Sequence, residues 1–172
     1  NARHYPAIGW IDSYSEYADE VREWWDKLDT RWAQIRQDAL DLLKREQRLQ
    51  QIVRLIGPDA LPDTERLILV VSEMIKNGFL QQNAFDDIDV FSVPEKQIMI
   101  LQLIIQYYKR AYSIIKQGAP LMKVTNLPVR EEIVRIKTSI ANDNLTQISA
   151  VESHLEEQIS SLEKIYRRAD VL

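Results

Sequence analysis

The side chains that could bind a metal ion are few and scattered in this sequence. The two histidines, His4 and His154, lie in different segments. A di-iron helical bundle needs Glu-x-x-His pairs on two helices, whereas Glu152-Ser-His154 has the wrong spacing and no second copy. The sequence contains no cysteine, which excludes thiolate zinc sites and disulfides and fits a cytoplasmic protein. We therefore expect no metal centre.

Motifs for nucleotide or acyl chemistry are also missing. The sequence has no Gly-x-x-x-x-Gly-Lys-[Ser/Thr] loop to hold a triphosphate and no Gly-x-Ser-x-Gly elbow. Three carboxylates cluster at Asp86, Asp87 and Asp89, either as a solvated loop with capping duties or as an ion site. A calcium loop would add a glycine and a distal glutamate at fixed positions, and neither is present. The sequence does not predict an independent enzyme.

Two patterns leave alternatives open, the spacing of the tryptophans and the apolar stripe of the last predicted helix. The tryptophans at 10, 24, 25 and 32 could form a ligand platform, although their helical spacing favours packing in the core. The last predicted helix could serve as a coiled-coil arm for a partner, but its single apolar stripe is equally explained by packing on its neighbours.

Bulk composition narrows the class of protein. The 172 residues suit one domain, with 45% hydrophobic and 28% charged residues. The net charge is 22 − 26 = −4, with both signs interspersed, which argues against nucleic-acid binding. The longest apolar stretches, Leu67 to Val71 and Ile98 to Ile105, are far shorter than the roughly 20 residues of a membrane helix. No signal peptide is visible.

Helical spacing and helix breakers divide the chain into about six helices. Ser13 and Glu16 form a capping box before the first helix, and Gly57-Pro58 ends the second, whose length leaves room for a bend between Lys44 and Arg48. The third helix runs from Pro62-Asp63 to Gly78. Without a period-two segment, the prediction is an all-α helical bundle.

The second half of the chain continues the helical pattern. Ser92 and Glu95 form another capping box, with Pro94 inside the first turn of an apolar central helix that Gly118 and Pro120 end. A shorter helix covers 128–140. The last predicted helix begins at Asn144, with Gln147 three residues later. Its final turn contains Arg167 and Arg168, which complement the helix dipole. Its apolar stripe comprises Ile148, Val151, Leu155, Ile159, Leu162 and Ile165.

Three segments resemble one protein family. Phe79-Leu-Gln-Gln-Asn-Ala-Phe85-Asp-Asp-Ile-Asp89, followed by Ser92-Val-Pro-Glu-Lys-Gln97, is similar to a stretch of the catalytic A subunits of archaeal and vacuolar rotary ATPases. Arg3-His-Tyr-Pro-Ala-Ile-Gly-Trp-Ile-Asp-Ser-Tyr-Ser15 resembles the entry to their C-terminal domain. Leu127-Pro-Val-Arg-Glu-Glu-Ile133 resembles a motif near their end. The chain is thereby identified as a C-terminal helical domain of this family.

A more distant resemblance indicates a rotor-contact turn. Gly57-Pro-Asp-Ala-Leu-Pro-Asp-Thr-Glu-Arg-Leu67 is similar to the acidic loop of F-type β subunits that faces the rotating shaft. Ala60, Pro62 and Thr64 replace two carboxylates and a serine here, so a contact based on acidic charge is in doubt. The resemblance implies rotor contact through Pro58, Asp59, Ala60, Leu61, Pro62 and Asp63.

The same resemblance implies a lever mechanism. The catalytic subunit binds ATP or ADP with Mg through another domain, and its C-terminal domain closes inward and pushes the central rotor. Phe85 would pack on the adenine, with Phe91 as the second choice and Gln82 beside it; alternatively Phe85 merely anchors its loop to the core. The implied partners are the B subunit and the central stalk subunits, without nucleic acid or membrane insertion.

The expected domain organisation follows from this resemblance. Residues 1–12 are a tag remnant followed by a hinge between Arg3 and Trp10, and residues 13–172 form the bundle. No methionine precedes Arg3, so we expect a segment of a longer, cytoplasmic subunit in the head of the complex, peripheral to the membrane. The alternative is a free-standing helical adaptor that binds partner helices and has no link to nucleotide.

Overall fold

A computed structural model of the chain describes residues 32–80 and 93–167. These residues form helices and turns without a strand, which confirms the all-α prediction. In chain order the helices are α1 (Trp32–Ile56), α2 (Asp63–Ile75), α3 (Pro94–Lys116), α4 (Leu121–Thr125), α5 (Pro128–Ser139) and α6 (Thr146–Arg167). A 3₁₀ turn, Pro58–Ala60, precedes α2, and a π-helical turn, Lys76–Leu80, follows it. The first predicted helix and the expected hinge lie outside the described residues.

Helix α1 is continuous from Trp32 to Ile56, so the segment between Lys44 and Arg48 is helical throughout. Its apolar positions recur at the helical period, which places one stripe against the core. The buried members of that stripe include Ala39, Leu42 and Leu43. Ile52, three residues after the buried Leu49, is 40% exposed, because the last turns of α1 lie at the end of the bundle.

Helix α2 ends three residues earlier than predicted and continues as the π-helical turn. Gly78, expected to end the helix, is buried inside this turn. A Cβ atom at Gly78 would lie 3.3 Å from the Cα of Val134 in α5. The glycine therefore permits a close approach of two backbones, and the wider π turn brings it there.

Helix α3 is the central helix, as its apolar composition predicts. Eleven of its 23 residues are buried, among them Ile100, Leu101, Ile104 and Tyr107, while Lys109 and Lys116 lie on an exposed face. Each such aliphatic side chain contributes about 1.5–3 kcal/mol by leaving water. Pro94 is its first residue, as expected, but the N-cap is Val93 and makes no side-chain capping bond. Ser92 of the predicted Ser92–Glu95 capping box lies outside the described residues.

The last three helices complete the bundle. Helix α5 matches the predicted bounds to one residue, whereas the short α4 was not predicted because five residues carry too little periodic signal. Helix α6 begins at Thr146, two residues after the predicted Asn144. Its stripe is buried from Ile148 to Ile159, but Ile165 is 61% exposed.

Contacts between helices fix their directions. The hydroxyl of Ser72 in α2 donates to the carbonyl of Leu42 in α1, and these two helices are joined by a short turn, so they run antiparallel. Arg110 of α3 reaches both Glu156 and Glu163 of α6, which places the final turns of α3 and α6 at the same end. We call this the tip end: the end of α1, the turn at 57–62, the start of α2, the end of α3, α4 and the end of α6.

Candidate functional site

The turn at 57–62, the predicted rotor contact, is built by residues that force the chain to reverse. Gly57 has a φ of +85°, which favours glycine, and its N–H donates to the carbonyl of Val53 at 2.9 Å. Pro58 cannot continue the helix and instead begins the 3₁₀ turn. The N–H of Leu61 donates to the carbonyl of Pro58 at 3.2 Å and closes the turn.

The predicted contact residues divide into exposed and buried groups. Pro58, Asp59, Ala60 and Pro62 are exposed, so they present a surface at the tip end. Leu61 is only 7% exposed and belongs to the core. It therefore anchors the turn instead of presenting its side chain outward.

Asp63 ties the turn to a second element. Its Oδ2 accepts the N–H of Leu121 at 2.8 Å, at the first residue of α4. Pro120, the N-cap of α4, makes no side-chain capping bond, so Asp63 satisfies this free donor from another helix. The turn and the connection after α3 are thus held together.

The acidic side chains at the turn, Asp59 and Asp63, both lie near Arg66 of α2. Arg66 lies 3.7 Å from the carboxylate of Asp59 and 3.5 Å from that of Asp63. Pairs this exposed contribute at most about 1 kcal/mol to stability. They nevertheless offset the negative charge that the turn would otherwise present to a partner.

Two buried lysines form a second candidate site at the end of the bundle opposite the tip. Lys96 is fully buried, and its Nζ donates to the backbone carbonyl of Lys137 at 2.8 Å. Lys137 is 3% exposed, and its Nζ donates to the backbone carbonyl of Phe79 at 3.1 Å. A buried ammonium is costly unless its donors are satisfied, so these contacts hold the surrounding backbone firmly in place.

The lysine contacts lie on both sides of the segment 81–92. Phe79 precedes that segment and Lys96 follows it, and both are joined to the end of α5 through Lys137. The N–H of Val93 also donates to the side-chain oxygen of Asn142 at 3.4 Å. The flanks of the segment are therefore fixed relative to the bundle.

The predicted adenine-side residues Gln82, Phe85 and Phe91 lie outside the described residues, as does the cluster of Asp86, Asp87 and Asp89. Sequence reasoning did not identify the two lysines that fix the flanks. One signal was available: Lys137 falls on the apolar stripe of α5, next to the buried Ile133 and Ile136. A lysine at such a position indicates a buried cation with a specific partner.

An open groove of about 550 Å³ runs between α1 and α3, lined in part by Ile35, Asp38, Ile105 and Lys109. The Nζ of Lys109 donates to Asp38 at 2.6 Å. Burial raises the pKa of Asp38, but hydrogen bonds from Lys109 and Gln34 outweigh it and hold the pKa below its ordinary value. The carboxylate is thus a fixed anion in an ion pair and poorly suited to proton transfer near neutral pH.

The remaining ionisable pairs are structural. Arg110 donates to Glu163 at 2.9 and 3.0 Å, to Ser160 at 3.0 Å and to Glu156, which joins α3 to α6. His154 and Glu132 are 2.7 Å apart on the surface. Within 32–80 and 93–167 no three His, Asp or Glu side chains are grouped to hold a metal ion. No helix in this described part is long and apolar enough to cross a membrane.

Comparison with known proteins places these features in context. Residues 22–125 match the family model described as the C-terminal domain of V and A type ATP synthase. The chain is 43% identical over 165 residues to the A subunit of the A-type ATP synthase of Pyrococcus abyssi, covering 95% of the chain and 16% of that protein. It is 41% identical over 168 residues to the V-type ATP synthase alpha chain of Halothermothrix orenii, covering 97% of the chain and 28% of that protein. The chain thus spans only a minor part of the length of these relatives.

Proposed function

Since this chain belongs to the C-terminal domain family of V and A type ATP synthases, we propose that it is the lever domain of the catalytic subunit of a rotary ATPase. The bundle moves as one body when the rest of the subunit binds nucleotide, and the turn at 57–62 presses on the central rotor. In the complete enzyme this movement couples ATP synthesis or hydrolysis to proton or sodium transport. Its neighbours are the B subunit and the central stalk.

A lever must be stiff along its length, and three long helices supply that stiffness. Helix α1 has 25 residues and α3 has 23, which correspond to roughly 37 and 34 Å. The 22-residue α6 is joined to α3 through Arg110 and its two glutamates. Because these helices share one close-packed core, a displacement at one end is transmitted to the other.

The tip is firmly attached to this lever. Leu61 is buried in the core, and Asp63 holds the first N–H of α4. A force on the exposed Asp59 or Ala60 is therefore carried into α1, α2 and α4 without first deforming a loose loop. This attachment is the observation that best supports the turn as a contact that bears load.

The opposite end is suited to receive the displacement. We propose that Gln82, Phe85 and Phe91 face the adenine of ATP or ADP in the full subunit, since Lys96 and Lys137 fix the flanks of their segment. No three His, Asp or Glu side chains of the described residues are grouped to hold a metal ion, and the sequence lacks a phosphate loop. Other parts of the subunit would hold the nucleotide phosphates and the metal ion.

Photo-cross-linking tests the rotor contact. The sequence has no cysteine, so Ala60→Cys introduces one thiol at the tip end, where benzophenone maleimide is attached in the assembled enzyme after exposed cysteines elsewhere are removed. Asp143→Cys, exposed in the turn between α5 and α6, is the matched control at the opposite end.

Illumination should attach the Ala60→Cys variant to a protein of the central stalk and reduce ATP hydrolysis in proportion to the cross-linked fraction. The Asp143→Cys variant should give no stalk product. A tip probe that reacts only with proteins outside the stalk would contradict the proposed contact.

A further inference from the structure

The π-helical turn at 76–80 places one extra residue at the end of α2. Hydrogen bonds in a π turn join residues five apart, whereas those of an α-helix join residues four apart. If α2 continued as a regular α-helix to Leu80, every following residue would be turned by one position, or roughly 100°, about the helix axis. The form of this turn therefore sets the register in which the chain leaves α2.

Two contacts hold the first part of the turn against neighbouring helices. The Nζ of Lys76 donates to the carboxylate of Glu46 in α1 at 2.9 Å, and Glu46 is only 9% exposed. Gly78 lies against α5, where a Cβ atom would be 3.3 Å from the Cα of Val134. This ion pair and this packing contact fix the position of the turn, but they do not act on its hydrogen-bonding carbonyls.

Lys137 acts on a carbonyl of the turn itself. Its Nζ donates to the carbonyl of Phe79 at 3.1 Å, and Lys137 is 3% exposed. The last carbonyls of a helix lack partners within the helix, and a buried ammonium is stable only when its donors are satisfied. The two groups therefore stabilise each other. The carbonyl of Lys137 accepts the Nζ of the fully buried Lys96 at 2.8 Å, which fixes the end of α5 on α3.

We propose that Lys137 is a positioning residue that holds the turn at 76–80 in its π form. Its ammonium directs the carbonyl of Phe79 towards α5, and the extra residue of the π turn allows this direction while Gly78 remains against α5. A π turn is rare, and a rare backbone conformation persists where the surrounding structure over-determines it. Without the ammonium, the end of α2 takes the regular α-helical form as far as Leu80.

The functional consequence of this contact rests on the proposed function of the chain. Gln82 and Phe85, two of the proposed adenine-side residues, follow the turn in the sequence. A change of register by one residue at Leu80 would turn the chain that leads to them, whereas the parts of the subunit that hold the phosphates would be unaffected. Lys137 thus acts on the affinity for the nucleotide through the register of the turn.

Scalar couplings across hydrogen bonds, measured by NMR on the full 172-residue chain, report the form of the turn. In the wild-type chain the amide of Leu80 should couple to the carbonyl of Ile75, five residues earlier. Lys137→Met removes the ammonium and should move this coupling to the carbonyl of Lys76, four residues earlier. Arg135→Met, at an exposed residue of α5, is the control and should keep the wild-type coupling.

Circular dichroism verifies that each variant is folded, and Lys137→Gln, which also lacks the ammonium, takes the place of Lys137→Met if that variant unfolds. A five-residue coupling that persists without the ammonium would overturn the inference. In the assembled enzyme, Lys137→Met should raise the KM for ATP by about fivefold or more and leave kcat within about twofold, while Arg135→Met changes neither. A shift of the coupling with an unchanged KM would support Lys137 as the residue that holds the turn and would reject the proposed adenine contact.

Discussion

Tyr107 provides the sharpest test of how the short helix α4 is held to the central helix. Its ring is fully buried, and its hydroxyl donates to the backbone carbonyl of Val124 at 2.9 Å. Tyr107→Phe removes this donor, while the carbonyl of Val124 keeps the N–H of Leu127 at 3.3 Å. The expected loss at pH 7 is about 1 kcal/mol in the free energy of unfolding.

The same residue makes a prediction at alkaline pH with a definite sign. Burial raises the pKa of Tyr107 well above its ordinary value of 10.0, and the charge of Arg130 offsets this only in part. Above pH 10 the tyrosine therefore ionises in the unfolded chain but not in the folded one, so its contribution to stability is complete below pH 10 and is lost as pH rises. At pH 11 that loss is about 1.4 kcal/mol.

Urea unfolding of the two proteins at pH 7 and pH 11 measures both effects. Other titrating groups change the two proteins equally, so the difference between them isolates Tyr107. The wild-type chain should be more stable than Tyr107→Phe at pH 7, and the difference should nearly vanish at pH 11. Tyr108→Phe is the matched control, since Tyr108 is only half-buried and its hydroxyl lies 3.3 Å from Arg45. The reasoning would be refuted if the two proteins were equally stable at pH 7, or if the difference in their free energies of unfolding were the same at pH 7 and pH 11.

Two further predictions concern α5. Gly78→Ala should destabilise the chain by about 1–3 kcal/mol in thermal unfolding, because its Cβ would lie 3.3 Å from the Cα of Val134. Asn77→Ala, at the exposed neighbouring residue, is the control and should have little effect on stability. An equal loss of stability in both variants would contradict this prediction. Glu132 raises the pKa of His154 above 6.5 by a hydrogen bond and its charge, so the pair stabilises the fold below pH 6.5 and its contribution is lost as pH rises through the folded pKa. NMR titration of the histidine ring should show a lower pKa in Glu132→Gln, and an unchanged pKa would exclude the pairing.

The bundle itself was predictable from local signals. Gly57 with Pro58, Gly118 with Pro120, and Pro128 mark helix boundaries within about two residues of those in the structure. These residues act through their own backbone geometry, so no distant partner is needed to read them. The buried stripe of α6 was equally readable up to Ile159.

Features that depend on residues distant in sequence were not predictable. The π-helical turn at 76–80 exists where Gly78 meets Val134, and neither residue alone indicates it. The sequence around Arg110 does not indicate that it pairs with Glu156 and Glu163, because both lie in α6, about 50 residues later. The turn at 57–62 was proposed as a rotor contact by resemblance alone, and the burial of Leu61 and the bond from Leu121 to Asp63 required the packed structure.

The central claim is that the bundle moves as a rigid lever with its tip on the rotor. Nitroxide labels at Ala60→Cys and Asp143→Cys report the length of the bundle by pulsed electron paramagnetic resonance, and a third label on the central stalk reports the distance to the tip. In the assembled enzyme, addition of a Mg-nucleotide analogue should leave the distance between the two bundle labels unchanged and shift the distance from Ala60→Cys to the stalk. A change in the internal distance with a constant distance from tip to stalk would contradict the lever.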